Sequence, residues 1–121
     1  MGAFRKWPCQ NEMTTMQENV ERILAELRRR LEVLYADRLV HLVLFGSQAR
    51  GDAEPGSDID VLVVLEGPVS PCDEIARTID DVAAVSLDHG VVLCCVFISH
   101  DDYTRRRTPL LLNVQRDGVL V

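Results

Sequence analysis

The chain has 121 residues, of which 47% are hydrophobic, and this length and composition suit one domain with a buried core. Thirteen basic and nineteen acidic residues give a net charge of −6, which argues against broad nucleic-acid binding because that needs a basic face. No apolar run approaches the roughly 20 residues that span a bilayer, and residues 1–11 lack the apolar core of a secretory signal. We therefore expect a cytoplasmic protein with no membrane partner.

The first predicted element is a long amphipathic helix. Thr15 and Glu18 have the spacing of a capping box, which satisfies free N–H groups at a helix start. The helix should end near Asp37, because apolar residues recur at helical intervals up to that point: Met16, Val20, Ile23, Leu24, Leu27, Leu31 and Leu34. Residues 1–12 are expected to form a loose leader to a single domain that covers residues 1–121.

Apolar runs predict three strands, over residues 39–45, 58–65 and 91–99. A short helix should follow Ser47, between the first two strands. Ser70 and Pro71 mark the start of a longer helix, since serine is a good N-cap and proline suits the first helical position. Its expected buried stripe has five members: Ile75, Ile79, Val82, Ala83 and Leu87.

Two short helices, over residues 100–107 and 109–116, and a short strand after Gly118 complete the chain. Helices thus alternate with strands along most of the sequence. This order predicts an α/β (α+β) fold in which a small mixed β-sheet has helices packed mainly on one face.

The segment between the first two strands carries the candidate site. Asp58 and Asp60 are two residues apart in an extended segment, so both project to one face while Ile59 points to the other. Two adjacent carboxylates repel each other unless a cation lies between them, and Mg²⁺ prefers such hard oxygen ligands. Gly46 and Ser47 lie where a strand becomes a helix, and there the free N–H groups can bind phosphate oxygens.

Two further residues belong to the same candidate site. Arg50 lies one helical turn beyond the glycine–serine pair, where it could neutralise phosphate charge, and Ser57 directly precedes the first aspartate. An Asp-x-Asp pair alone is usually a solvated turn, and a lone Gly-Ser is weaker still. Their occurrence together between two apolar strands favours binding of a nucleoside triphosphate with Mg²⁺, and therefore nucleotidyl transfer.

These residues resemble the minimal nucleotidyltransferase (MNT) family of the DNA polymerase beta-like nucleotidyltransferase superfamily. That family carries Gly-Ser, ten residues and then Asp-x-Asp, and this chain has Gly46-Ser47, residues 48–57 and Asp58-Ile59-Asp60. The resemblance covers roughly residues 14–121. It implies a nucleotidyltransferase fold, ATP as the substrate, Mg²⁺ at Asp58 and Asp60, and contacts from Gly46 and Ser47 to the β- or γ-phosphate.

One departure from the family concerns its third carboxylate, which catalytic members carry on a later strand. The corresponding strand here, residues 91–99, contains no acid and has Cys94 and Cys95 in its middle. Asp88 lies just before this strand and could act as the third metal ligand only if the strand starts early. Without a third acid, deprotonation of the incoming hydroxyl is weakened. A nucleotidyltransferase fold with little or no catalytic activity is therefore an alternative for this chain.

The resemblance also implies a partner. Minimal nucleotidyltransferases act as antitoxins of HEPN-type toxins, which are helical ribonucleases, by attaching AMP to a toxin tyrosine or by binding the toxin. Three hypotheses follow: an enzyme that transfers AMP to a partner protein, a binding module that neutralises a toxin without catalysis, and an aminoglycoside-type transferase for small molecules. The short chain disfavours the third, and association into oligomers stays open.

Overall fold

The computed structural model describes residues 15–50, 58–105 and 108–121, without the side chains of residues 15–17, 47, 50 and 115. Its centre is a mixed sheet whose spatial order is β3-β2-β1-β4. The strands are β1 (Leu39–Phe45), β2 (Ile59–Leu65), β3 (Leu93–Ser99) and β4 (Val119–Leu120). The first strand has the predicted bounds, whereas β2 and β3 begin one and two residues later than the sequence suggested.

Strand pairing determines which residues lie next to each other where the strands begin and end. β1 runs antiparallel to β2 and β4, whereas β2 runs parallel to β3. A parallel pair needs a long crossover, and helix α3 (Pro71–His89) supplies it. The registers place Phe45 opposite Asp60, and Asp60 beside Cys94.

Both faces of the sheet are covered, which explains why β2 is almost entirely apolar. Helix α1 (Thr15–Tyr35) and α3 lie on one face, over a core that includes Leu24, Leu27 and Val61. The shorter α4 (His100–Arg105) and α5 (Pro109–Asp117) follow β3 in the chain, and a second cluster that includes Leu62 and Val114 buries the opposite face. The short helix α2 (Ser47–Arg50) follows β1 in the connection to β2. The predicted small mixed sheet is confirmed, with the two long helices together on one face.

The predicted buried stripe of α3 is wrong. Ile75, Ile79, Ala83 and Leu87 are exposed, and only Val82 of that set packs against the core. The buried positions are instead Glu74, Thr78 and Val85. The reason is tertiary, because polar contacts to α1 set the rotation of α3: Tyr35 to Glu74, Arg30 to Asp81 and Glu26 to His89.

Across the three described stretches, no helix combines the length and the apolar character that crossing a membrane requires.

Candidate active site

The glycine after β1 is fixed by its backbone and by its neighbour on β2. Gly46 has φ +81°, a left-handed conformation that residues with a Cβ rarely adopt. A Cβ at this position would lie only 2.5 Å from Oδ2 of Asp60. The Gly46 carbonyl accepts a hydrogen bond of 3.1 Å from the Ala49 N–H, which starts α2. Glycine therefore allows a carboxylate to lie directly against the turn.

The two aspartates lie at the start of β2, on the same side of the strand. Asp58 is exposed and Asp60 is half-buried. Burial, and secondly the charge of Asp58, raise the pKa of the Asp60 carboxyl. Asp58 thus disfavours ionisation of Asp60, and a cation between them would remove that penalty. The joint role of the two aspartates as metal ligands stays a prediction.

Cys94 is the residue that β3 places beside this pair. It is the parallel-strand neighbour of Asp60, and its Sγ lies 4.0 Å from Oδ2 of Asp58. Burial, then Asp58 and Asp60 in that order, raise the pKa of the Cys94 thiol, which keeps it protonated. A neutral thiol therefore lies next to the acid pair on the third strand. The sequence showed a cysteine in this strand, but the register that brings it to the aspartates is a tertiary property.

The structure does not bring Asp88 to the acid pair. Asp88 lies in the last turn of α3 and is exposed. The early strand start that would have turned it inward is absent, since β3 begins only at Leu93. The neighbouring charge that raises the pKa of Asp60 comes from Asp58.

The remaining predicted nucleotide contacts cannot be placed in the same detail. Ser47 and Arg50 belong to α2, the helix that begins directly after Gly46, but their side chains lie outside the described structure. Ser57 lies outside the described residues altogether. Their predicted roles stay predictions.

The donor set suits a magnesium ion that arrives with its substrate. In the described part of the chain, no three or more His, Cys, Asp or Glu side chains form a group that could hold a metal ion. Two carboxylates are nonetheless a common protein contribution to bound Mg²⁺, which keeps its other positions for water and substrate phosphates. Asp58 and Asp60 therefore fit a metal that is shared with a nucleoside triphosphate, rather than a closed protein cage.

Another carboxylate, that of Glu74, lies at the opposite end of the sheet and is bound by a tyrosine and two arginines. Glu74 is only 3% exposed, and its Oε1 accepts a 2.6 Å hydrogen bond from the Tyr35 hydroxyl. Arg77 Nε lies 3.4 Å from Oε1, and Arg38 Nη1 lies 3.8 Å from Oε2. Burial and the neighbouring Glu74 carboxylate raise the pKa of Tyr35. The sequence analysis missed this cluster, because no local pattern links residues of α1 to the start of α3.

A cavity of about 630 Å³ lies beside this cluster, away from Asp58 and Asp60. Arg38 lines it and donates to the carbonyls of Glu66 at 2.9 Å and Pro68 at 3.0 Å. Because Glu74 pairs with both Arg38 and Arg77 here, we assign this region a structural role.

Comparison with known proteins identifies the family of this chain. Residues 20–106 match the nucleotidyltransferase domain family. The putative protein adenylyltransferase MJ0604 of Methanocaldococcus jannaschii is 33% identical over 88 residues, which cover 73% of this chain and 82% of that protein. The chain therefore belongs to the nucleotidyltransferase domain family, in agreement with its resemblance to the minimal members.

Solved structures show the same fold. The crystal structure of a putative nucleotidyltransferase from Sulfolobus solfataricus gives a TM-score of 0.51 at 23% identity, covering 87% of this chain and 78% of that one. A toxin–antitoxin structure with AMP-PNP gives a TM-score of 0.52 at 16% identity, covering 86% and 70% of the two chains.

Proposed function

We propose that this protein transfers AMP from ATP to a hydroxyl group of a partner protein, with Mg²⁺ held by Asp58 and Asp60. The single observation that carries the proposal is the placement of the Asp60 carboxylate against the left-handed turn at Gly46, with Asp58 beside it. This arrangement offers a cation site next to backbone that can approach an anion. The family match and the similarity to MJ0604 support the reaction type.

The reaction forms a bond between the acceptor oxygen and the α-phosphorus, and it breaks the bond from that phosphorus to pyrophosphate. Asp58 and Asp60 hold the ion, and the turn at Gly46 and Ser47 positions the β- or γ-phosphate. When bound, Mg²⁺ supplies positive charge that offsets charge developing on the phosphate oxygens. The chain contributes mainly positioning and electrostatic stabilisation, which a small number of residues can supply.

The acceptor is proposed to be a HEPN-type toxin, so that the protein acts as its antitoxin. Support for a toxin partner comes from the fold shared with a toxin–antitoxin structure that contains AMP-PNP. The test is incubation with ATP, Mg²⁺ and the product of the neighbouring gene, followed by intact-mass spectrometry. A mass gain equal to AMP on that product is the expected result. Labelling of an aminoglycoside instead would favour a small-molecule transferase.

A second candidate function is toxin neutralisation by binding alone. The observation that favours it is Cys94, a protonated thiol at the strand position beside the acid pair. A thiol that already carries its proton cannot readily accept the proton of the incoming hydroxyl, so transfer would be slow. Tight complex formation without any mass gain would support this function.

Replacing Cys94 by aspartate separates the two candidates. A carboxylate beside Asp58 and Asp60 could accept the hydroxyl proton, so Cys94→Asp should raise AMP transfer by about tenfold or more if the site binds ATP productively. Cys94→Ser is the matched control and should leave the rate near that of the wild type. An unchanged, undetectable rate in Cys94→Asp would support the binding module.

A further inference from the structure

The outer side of α3 carries an uncovered apolar surface. Ile75 is 47% exposed, Ile79 is 56% exposed and Leu87 is 83% exposed, with the exposed Ala83 between the last two. Residues four apart lie on the same side of a helix, so these side chains form one continuous row. We call Ile75, Ile79, Ala83 and Leu87 the α3 stripe. Contiguous exposed apolar rows of this kind mark interaction sites.

The strand that follows α3 in the chain forms an open edge of the sheet. β3 is an edge strand, and in the described part of the chain it pairs only with β2. Val92, just before this strand, is 56% exposed, whereas the exposed Val96 within it lies on the sheet face opposite α3, as its strand neighbour Leu62 does. Since natural proteins normally cover or protect such an edge, its combination with the stripe points to a surface that a partner covers.

Acidic residues border the stripe on one flank. Asp80 lies about 100° around the helix from Ile79, and Asp73 lies two turns earlier on the same flank. Asp88 is exposed further along the helix, beyond Leu87. None of the three carboxylates takes part in the ion pairs of residues 15–50, 58–105 and 108–121, whereas Asp81 on the other side is bound to Arg30. Asp80 and Asp73 therefore give the flank negative charge for a basic partner, and Arg77, which lies further around the helix, is paired with Glu74.

The same charges disfavour a second copy of this chain as the occupant. Two copies of α3 packed about a two-fold axis would run antiparallel and bring identical flanks together. With the axis near Ile79, each Asp80 would approach the other Asp80. Like charges at such positions repel. A helix with lysine or arginine beside its apolar residues would instead place opposite charges against this flank.

The position of the α3 stripe relative to the acid pair gives the surface a functional meaning. α3 ends at His89, and the Val92 carbonyl accepts a 2.9 Å hydrogen bond from the N–H of Ile59, between Asp58 and Asp60. The C-terminal end of the stripe therefore lies at the same end of the sheet, where β2 and β3 begin, as the candidate active site. The two aspartates themselves project from the opposite face of the sheet, as Leu62 does, so a partner would have to extend around this end of the sheet to reach them.

We propose that the α3 stripe and its acidic flank dock an amphipathic helix of a partner protein, with basic residues beside the apolar side of that helix. That this partner is also the AMP acceptor rests on the proposed function, whereas the docking itself does not.

The docking is tested with two fluorescein-labelled helical peptides of about five turns. Both carry a leucine row at helical spacing, which lysines border in one peptide and glutamates in the other. Fluorescence anisotropy should show that the wild type binds the lysine peptide at least about tenfold more tightly than the glutamate peptide. Equal binding of the two peptides, or binding of neither, would overturn the proposal.

Variants on and off the stripe locate the binding. Ile79→Glu should weaken binding of the lysine peptide by about tenfold or more. The matched control is Val33→Glu on α1, an exposed valine far along the chain from the stripe, which should leave the affinity unchanged. Asp80→Lys should weaken the lysine peptide and strengthen the glutamate peptide, whereas the exposed Asp37→Lys should change neither. An equal loss in Val33→Glu and Ile79→Glu would contradict a site on α3.

Two further measurements distinguish other occupants and other failures. Concentration-dependent dimerisation of the wild type that Ile79→Glu abolishes would identify a second copy as the occupant and overturn the proposal. Binding of AMP-PNP with Mg²⁺ should be unchanged in Ile79→Glu, and peptide binding should be unchanged in Asp58→Ala. Failure of peptide docking with intact nucleotide binding therefore rejects this inference alone, and the reverse result rejects only the proposed transfer.

Discussion

The two ends of the sheet hold carboxylates in opposite circumstances. At one end, Glu74 is buried, and it is held by a tyrosine hydroxyl and two guanidinium groups. At the other end, Asp60 is half-buried beside Asp58, and the groups that act on its pKa all oppose its ionisation. A carboxylate whose charge the fold already compensates serves stability. A pair that the fold leaves uncompensated costs stability, and this cost is expected where a ligand completes the site.

The largest expected effect is the loss of AMP transfer when an aspartate at the active-site end of the sheet is replaced. Asp58→Ala and Asp60→Ala should each reduce AMP transfer by about 10³-fold or more, because each removes a ligand of the proposed metal. The fold should persist, since neither side chain is buried in the core. Mass spectrometry of the acceptor measures transfer, and thermal melting measures the fold. A melting temperature that falls sharply together with activity would show that the aspartates, like Glu74, serve stability.

Gly46→Ala should come next. The left-handed backbone strains any residue with a Cβ by about 1–2 kcal/mol, and the new methyl group would meet Oδ2 of Asp60 at 2.5 Å. Displacement of this carboxylate should lower transfer by about 10²-fold, with only a modest loss of stability. Gly67→Ala is a suitable control, because Gly67 also has a positive φ of 85° but nothing lies within 4 Å of its Cβ position. Equal transfer in the two variants would contradict the close approach of the turn and Asp60.

The structural end should respond in the opposite way. Glu74→Ala should lower the free energy of unfolding by about 2–3 kcal/mol, because it leaves the buried Tyr35 hydroxyl without its acceptor and two arginines without their partner. Transfer per folded molecule should be unchanged. Denaturant melts, with Asp80→Ala on the exposed side of α3 as the control, measure the difference. A stability loss in Glu74→Ala no larger than that of the control would show that the cluster contributes little.

The smallest expected effect is a pH-dependent gain in stability. The folded state raises the pKa of Asp60, so it binds that proton more tightly than the unfolded chain does. The stabilisation by protonation is fully present below the unfolded pKa and is lost as pH rises through the folded pKa. Asp60→Asn should therefore raise Tm at neutral pH by on the order of 2–4 °C.

The gain in Asp60→Asn should shrink as the pH falls towards the ordinary range of aspartate. Added Mg²⁺ should stabilise the wild type more than the variant. A Tm difference that is constant with pH would show that the charge of Asp60 is not the cause.

Much of the architecture could be predicted from the sequence because it depends on local patterns. β1 has the predicted bounds, and α3 begins with Pro71 after Ser70, as expected, although the Ser70 side chain makes no capping hydrogen bond. The rotation of α3 could not be predicted, because the contacts that fix it join residues about 40 to 60 positions apart, such as Tyr35 with Glu74 and Glu26 with His89.

The candidate site was predictable to a similar degree. The spacing of Asp58 and Asp60 is a local property of the chain, so a shared direction of their side chains could be predicted from the sequence, and their joint role stays a prediction. The neighbour of Asp60 on β3 depends on the register of a parallel pair, and nothing local specifies that register. For this reason the sequence could name Cys94 as a non-acidic position in the strand but could not place it 4.0 Å from Asp58.

The most direct test of the central claim is calorimetric titration of the protein with AMP-PNP, with and without Mg²⁺, in the wild type and in an Asp58→Ala, Asp60→Ala double variant. The account predicts binding by the wild type that requires Mg²⁺ and that the double variant loses while remaining folded. Nucleotide binding of equal strength in the double variant, or in the absence of Mg²⁺, would contradict the assignment of the two aspartates as the metal site.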